Sequence, residues 1–528
     1  MKRLWMSFTI CLLAACSSKS GTTGAAGAGG STTGAAGATS TGAAGASSTG
    51  AAGAMGAINL AESVLERGKN PQRTAHFIQP ALTTAAVMTK MAMDTTFSAK
   101  FSGGVAGVPL FVAGAKAGQG RFFVATLSST VYALDETTGA VIWMHSIGMG
   151  GHGIIGTPVI DAASRAIFVA ADANAGNHLI DALSIDTGAE LPGWPVDVSK
   201  LSSNGVTFNS RDQNQRGALS LVGGTLYVPY GGYYGDGGNY HGWVVAVDIK
   251  NPANVAGWAT AGQQEGIWAP GGLASDGTGV FAVTGNNGSA PMDHLDSEEV
   301  VRVTGLAQAQ RDAANRFWPT IWRTGMDMGD KDFGSCSPLV IMATGGTPAS
   351  LVVAPAKPGH VYFLDDKNLG GLGGQAADLV VADTGAESVY VTPTAYTTPS
   401  GHYVVISTTV GAVCPGGAKD SQLVGIKLDT STNPLTPRIV WCAATAGDDN
   451  IRRRSSISTT TDGKSNPLVW FMNGAKLNAF DGETGAVVFA GGADTDMCGG
   501  IERHTSPIAA NGRIIAAGDG HLCSWSIH

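Results

Sequence analysis

Val131-Tyr132-Ala133-Leu134-Asp135-Glu136-Thr137-Thr138-Gly139-Ala140-Val141-Ile142-Trp143 reads as a strand, a tight turn and a second strand ending on a large aromatic. Degraded copies recur along the chain, each anchored on an apolar residue that closes a strand: Leu134, Leu183, Val247, Val303, Leu364, Leu428, Phe480 and Trp525. Their spacing of roughly 45–65 residues is the period of a four-stranded propeller blade with variable loops. Within a copy the apolar residues alternate, as in Phe122, Val124 and Thr126, before a turn rich in Asp, Thr and Gly. Trp143, Trp258, Trp322 and Trp441, with Phe489 in a shorter copy, are expected to end the outer strands. Innermost strands should begin near Pro109, Pro158, Ala218, Gly272, Pro338, Pro393, Ser456 and Pro507.

Eight anchors predict an all-β, eight-bladed propeller. A seven-bladed ring stays open, because the copies around Val303 and Leu364 carry long insertions. The last copy stops at His528, after its third strand, so its outer strand must come from elsewhere. Thr96–Phe101 has the right alternation, and pairing it with Cys523–Ile527 would close the ring and remove exposed edges. Charged residues make up only 14% of the chain and Gly contributes 76 positions, as suits strands buried on both faces and joined by tight turns. A formal net charge of −8 with no basic stripe argues against a nucleic-acid partner.

The first residues carry an export signal. Met1-Lys2-Arg3 is a cationic start, Leu4–Leu13 is an apolar run too short for a mature membrane span, and Leu13-Ala14-Ala15-Cys16 resembles the bacterial lipobox. Residues 1–16 are therefore read as a lipoprotein signal with Cys16 lipidated, anchoring the protein to a membrane. By resemblance to enterobacterial lipoproteins, Ser17 suits the outer membrane, on its periplasmic or surface face. Residues 17–56 repeat Thr-Gly-Ala-Ala-Gly-Ala and form a disordered linker of about 35 Å root-mean-square span. Residues 57–95 are an N-terminal extension in which Ile58, Leu60, Val64 and Leu65 suggest a short helix, and residues 96–528 make up the propeller.

In an oxidising compartment disulfides are allowed. Cys414 and Cys442 sit in loops of one blade that open on the same face, and Cys498 is expected to pair with Cys523, leaving Cys336 single. There is no Cys-x-x-Cys and no Cys/His cluster at zinc spacing, and the expected metal set is empty. Met326–Asp332 offers three carboxylates without EF-hand spacing and reads as a solvated loop. Gly148–Gly153 fits G-x-G-x-x-G, but a strand follows where a helix is needed, so it is an interblade loop.

Asn214–Leu219, Leu226–Tyr230, Tyr240–Val244, Gly266–Gly272, Val283–Asn286 and Val361–Asp365 together resemble bacterial exported proteins with pyrroloquinoline quinone-like (PQQ-like) propeller repeats, over about residues 58–528. The resemblance implies the eight-bladed quinoprotein fold, with a funnel at one face. In its dehydrogenase members that funnel holds PQQ, a Ca²⁺ and a catalytic carboxylate, but this chain lacks both the adjacent Cys-Cys pair and a Cys-x-x-Cys-His haem site. Funnel candidates from blade register are His152, Arg216, Trp268, Arg453, Arg503 and His504, with Asp236, Tyr240 and His241 from the Gly231–His241 loop. The converging arginines suit an anionic small molecule, or else serve as bridges between blades. Tyr240 and His241 have packing roles as their alternative reading. The expected function is a monomeric, envelope-anchored binding or scaffold module, in the manner of the propeller lipoprotein of the β-barrel assembly machinery, with an envelope protein as partner. The alternative is a PQQ-dependent dehydrogenase of alcohols or sugars with a separate electron acceptor.

Overall fold

The Asp135 turn shows why the repeat looks as it does. Asp135 Oδ1 accepts from the Thr137 and Thr138 amides and the Thr138 hydroxyl, and Gly139 closes the turn at φ 75°. Asp481–Gly485 repeats this geometry, with Gly485 at φ 71°. The repeated shape has a second use, because in two places the next blade's turn receives the preceding blade's tryptophan. Trp143 Nε1 donates to Ile185 O (3.1 Å) and Trp441 Nε1 donates to Gly482 O (2.9 Å). A Cβ at Gly188 would lie 2.6 Å from Trp143, and one at Gly485 would lie 2.7 Å from Trp441. Glycine is required there by both φ and space. Trp441→Ala should therefore cost about 3–5 kcal/mol, measured by chemical denaturation, and Gly485→Val should destabilise the same blade interface.

The computed structural model describes residues 53–148, 151–174, 177–233, 237–383, 388–417, 421–446, 454–493 and 495–528. Eight four-stranded antiparallel sheets surround an axis, their innermost strands at Leu110–Val112, Val159–Asp161, Ser220–Val222, Ala274–Ser275, Leu339–Ile341, Thr394–Thr398, Ile457–Thr460 and Ile508–Ala510. These define blades 1 to 8 in chain order. No helix among the described residues is long and apolar enough to cross a membrane. Cys16 and the linker up to residue 52 lie outside the described residues.

Three expectations need correction. The closing strand is split. Met91–Met93, read as part of the extension, pairs with Trp525–Ile527, while Thr96–Phe101 contributes only Ala99–Lys100, opposite His521–Leu522. Asp94 separates the two halves by accepting from Thr96 and Phe97 amides, a turn that a continuous strand does not allow. Trp322 does not end an outer strand: Arg316–Trp318 fills that place in blade 4, and Trp322–Met326 is a helical turn. Finally, Ile58 and Val64 form isolated bridges to Gly114 and Phe111, and the helix lies at Thr84–Lys90, capped by Thr83.

The extension threads the axis. Each innermost strand has one edge facing the channel, and such an edge needs partners. The extension supplies them blade by blade. Val64 and Phe111 exchange backbone bonds, and the amides of Ile160, Ser275, Val340, Ala395 and Ser458 donate to the carbonyls of Leu65, Pro71, Gln72, Thr74 and Ala75. Arg73 reaches Leu219 O in blade 3, and Gly512 N donates to Gln79 Oε1 in blade 8. His76–Ile78 adds a parallel strand to blade 7.

Just before the innermost strands a second belt runs around the axis. Val108 N–H donates to Thr157 Oγ1, Leu219 N–H to Thr157 O, Ala218 N–H to Pro270 O and Gly271 N–H to Ser337 Oγ. Ser337 N–H then donates to Val391 O, Thr392 N–H to Ser455 Oγ, Ser455 N–H to Thr505 O and Thr505 Oγ1 to Gly107 O. Those links join all eight blades in a circle. The belt and the threaded extension thus lie at successive levels along the innermost strands, and the funnel lies beyond the belt.

Candidate functional site

Loops entering the innermost strands and loops joining second to third strands open on the funnel side. In blade 3, Arg216 donates from Nε to Trp268 O (2.8 Å), with its guanidinium 5.9 Å from the Trp268 ring. Tyr240 is fully buried and meets Trp268 edge-on at 6.0 Å. Gly231, Gly266 and Gly285 crowd the same indole, each so close that a Cβ would collide with it. Glycines at these places let an aromatic plate sit near the axis.

Blades 4 and 5 bring carboxylates next to that plate. Asp332 is 4% exposed. Its Oδ2 receives Lys357 Nζ (3.0 Å) and Ser335 Oγ (3.0 Å), and its Oδ1 receives the Asn286 amide (3.4 Å). Asn287 N–H donates to Asp327 Oδ1 (3.0 Å), and Asn287 Nδ2 to Glu265 Oε1 (3.0 Å). Glu298 N–H donates to Gly285 O (3.1 Å), which sets Glu298 beside the strand end carrying Asn286. Phe333 N–H holds Glu298 Oε2. Among the described residues, Asn286 Oδ1 and Glu298 Oε1 are buried acceptors without a hydrogen-bond partner. Burial, reinforced by Asp332, drives the Glu298 carboxyl well above its ordinary range. Burial also pushes Asp327 up to about 6 and Glu265 up to about 8. Buried oxygens that no donor satisfies are costly in a protein interior.

The Met326–Asp332 loop is therefore only partly solvated, against the expectation from its composition: Asp327 and Asp332 are buried, while Met328 and Asp330 project outward. The other expected funnel residues divide. Arg216, Tyr240 and Trp268 come together. His241 is half-buried and donates from Nδ1 to Thr260 O (2.9 Å), a packing role beside them. His152 stands at the rim, exposed, with Nδ1 3.0 Å from Asp172, which also accepts from Tyr233 (2.7 Å). Arg503 is exposed, and His504 adopts φ 66° with its carbonyl held by buried Arg67. Asp236 and Arg453 lie outside the described residues. Arg454, the described member of its run, binds the carbonyls of Gly474, Ile501 and Glu502 as an interblade bridge. Sequence reasoning missed Asn286, Glu298 and Lys357 as site residues, and set Asp332 aside in a loop read as solvated. The signal available was their place in the turns flanking strands of two adjacent blades.

Disulfides join Cys414 to Cys442 and Cys498 to Cys523, and Cys336 is a buried thiol whose pKa burial raises to about 12. At the far ends of the innermost strands a cleft of about 230 Å³ opens between the extension and blades 5–7, lined by Gln72, Thr74, Tyr396 and two histidines. Burial depresses His76 to about 4 and lowers His402. The cleft is remote from the buried carboxylates.

The family model for the outer membrane protein assembly factor BamB matches residues 90–300. A search of curated proteins gave no match. Among solved structures, the chain is similar to a quinohemoprotein alcohol dehydrogenase of Pseudomonas putida, at 13% identity and TM-score 0.59 over 88% of this chain and 80% of that one. The corresponding enzyme of Comamonas testosteroni gives 13% and 0.57 over the same shares. A europium-containing methanol dehydrogenase gives 15% and 0.55 over 88% and 89%. Identities this low speak to fold alone. Repeat, eight-blade ring and comparisons agree that the chain is a PQQ-like repeat β-propeller.

Proposed function

We propose that the protein is a quinone-dependent dehydrogenase of alcohols or sugars, held at the cell envelope by lipidated Cys16. The observation that carries this reading is the buried Asp332–Lys357 pair beside two unsatisfied oxygens, Asn286 Oδ1 and Glu298 Oε1, and the Trp268 plate. The residues fit a hard cation, which takes oxygen ligands such as carboxylate and amide, and a flat aromatic cofactor, which stacks on an indole. Asn286 and Glu298 would hold the cation and Trp268 the ring system. PQQ, when bound, would supply a two-electron acceptor.

Oxidation of an alcohol removes a hydroxyl proton and a hydride from carbon. Asp332 is the base for the proton, and Lys357 and Ser335 orient its carboxylate from one side. Arg216 and Trp268 wall the site against water. Electrons leave to a separate acceptor, since the chain has no haem-attachment sequence.

The test is reconstitution of the purified protein with PQQ and Ca²⁺, with dye reduction assayed on alcohols and aldoses. Expected are bound-quinone absorbance, turnover, and cation affinity that rises with pH, because Glu298 must lose its proton to bind metal. Absence of both absorbance and turnover would overturn the reading. That outcome would favour a binding or scaffold module, which the match to the BamB family model over residues 90–300 supports.

A further inference from the structure

We propose that His145, Asp181 and Glu190 form a divalent-cation site between blades 1 and 2, of the kind that takes zinc. The three come from separate places in the chain. His145 lies on the outer strand of blade 1, two residues beyond Trp143 and so on the same face. That face is turned toward blade 2, since Trp143 Nε1 donates to Ile185 O. Asp181 lies on the third strand of blade 2, two residues before Leu183, which packs with Trp143 in the interblade core. Glu190 is brought alongside by its bridge to Leu183 and by the bond from Leu191 N–H to Ala182 O (2.8 Å).

Their ligand atoms lie within 4.8 Å of one another. An imidazole and two carboxylates on a tetrahedral Zn²⁺ stand roughly 3.4 Å apart at normal bond lengths, a closure within reach of the partly exposed His145 and Glu190 side chains.

None of the three is otherwise employed. Among the described residues, neither His145 nor Glu190 has a side-chain hydrogen bond, and Asp181 keeps only the Ala182 amide on Oδ1 (2.7 Å). Yet Asp181 is 2% exposed, opposite Val169 in the sheet and on the same strand face as Leu183. A carboxylate so placed is costly unless a proton or a cation neutralises it. The mixed nitrogen and oxygen donors suit zinc better than calcium, which prefers oxygen alone. This inference is independent of the funnel and of its proposed chemistry.

The experiment uses the full exported chain, stripped with chelator and titrated with Zn²⁺ in the presence of millimolar Ca²⁺, which blocks hard-oxygen sites elsewhere. Expected are one saturable Zn²⁺ per chain and, with Co²⁺ in its place, visible ligand-field bands. His145→Ala and Glu190→Gln, both at positions that leave the core intact, should each weaken binding by about 100-fold or more, and His528→Ala should not. Asp181→Asn should abolish the Co²⁺ bands. The proposal is overturned if no saturable binding occurs, or if binding and spectrum are unchanged in both His145→Ala and Glu190→Gln.

Discussion

Arg73→Ala should lower stability by about 3–5 kcal/mol, the usual cost of stripping one partner from a buried ion pair, read from a denaturant midpoint. Arg73 is 0% exposed and belongs to the extension, not to any blade. Its Nε donates to Leu273 O, one terminal nitrogen to Glu66 Oε2 and Arg67 O, and the other to Leu219 O and Ser220 Oγ. The guanidinium therefore ties the threaded segment to blades 3 and 4 with every donor used. Its removal leaves Glu66, already raised by burial, without its cation, and takes a donor from the Leu219 and Leu273 carbonyls, of which Leu273 O keeps Ser220 Oγ. Arg73→Lys should recover little of the loss, because an ammonium lacks the planar fork that serves five acceptors. An Arg73→Ala variant as stable as the parent would show that the extension only lies on the ring.

Asp332→Asn should cut turnover of the quinone-loaded protein by about 10²–10⁴-fold, the range for losing a positioned general base, while quinone absorbance persists. The amide keeps the size of the carboxylate and can still accept from Lys357 or Ser335, so folding is preserved. It has no affinity for the substrate proton. Lys357→Met should instead spoil orientation, leaving Asp332 buried without its cation. If Asp332→Asn loses quinone binding together with turnover, Asp332 belongs to the cofactor's seat and not to proton removal.

Much of the architecture was readable from local signals. Prolines at 109, 158, 338, 393 and 507 precede innermost strands that begin one residue later, because a proline has no amide to give a ladder. The Asp–Thr–Gly turn and the terminal tryptophan marked blades because in blades 2 and 7 the turn is the socket for the preceding blade's indole. The closing strand was only half legible. Met91–Met93 has the alternation of any short apolar run, and nothing local shows that the chain turns at Asp94 before Ala99 rejoins the sheet.

The site was less legible than the ring. Trp268, Arg216 and Tyr240 stood out as an aromatic and cationic group in glycine-rich loops, and they do meet. Asp332, Glu298 and Lys357 looked like ordinary turn residues, since charge in a turn usually means solvent. They are buried because loops of the adjacent blades 4 and 5 pack against one another. The cation ligands His145, Asp181 and Glu190 have no motif spacing at all, because two blades supply them.

The sequence by itself determined the repeat and where the innermost strands begin, since alternation, turn chemistry and proline act over a few residues, while the choice of eight blades over seven waited for the sheets themselves. The tertiary structure alone decided that the extension fills the axis, that a belt of hydrogen bonds joins all eight blades, and which carboxylates lose their water. Burial and unsatisfied oxygens depend on which loops converge, and that convergence exists only once the ring has closed.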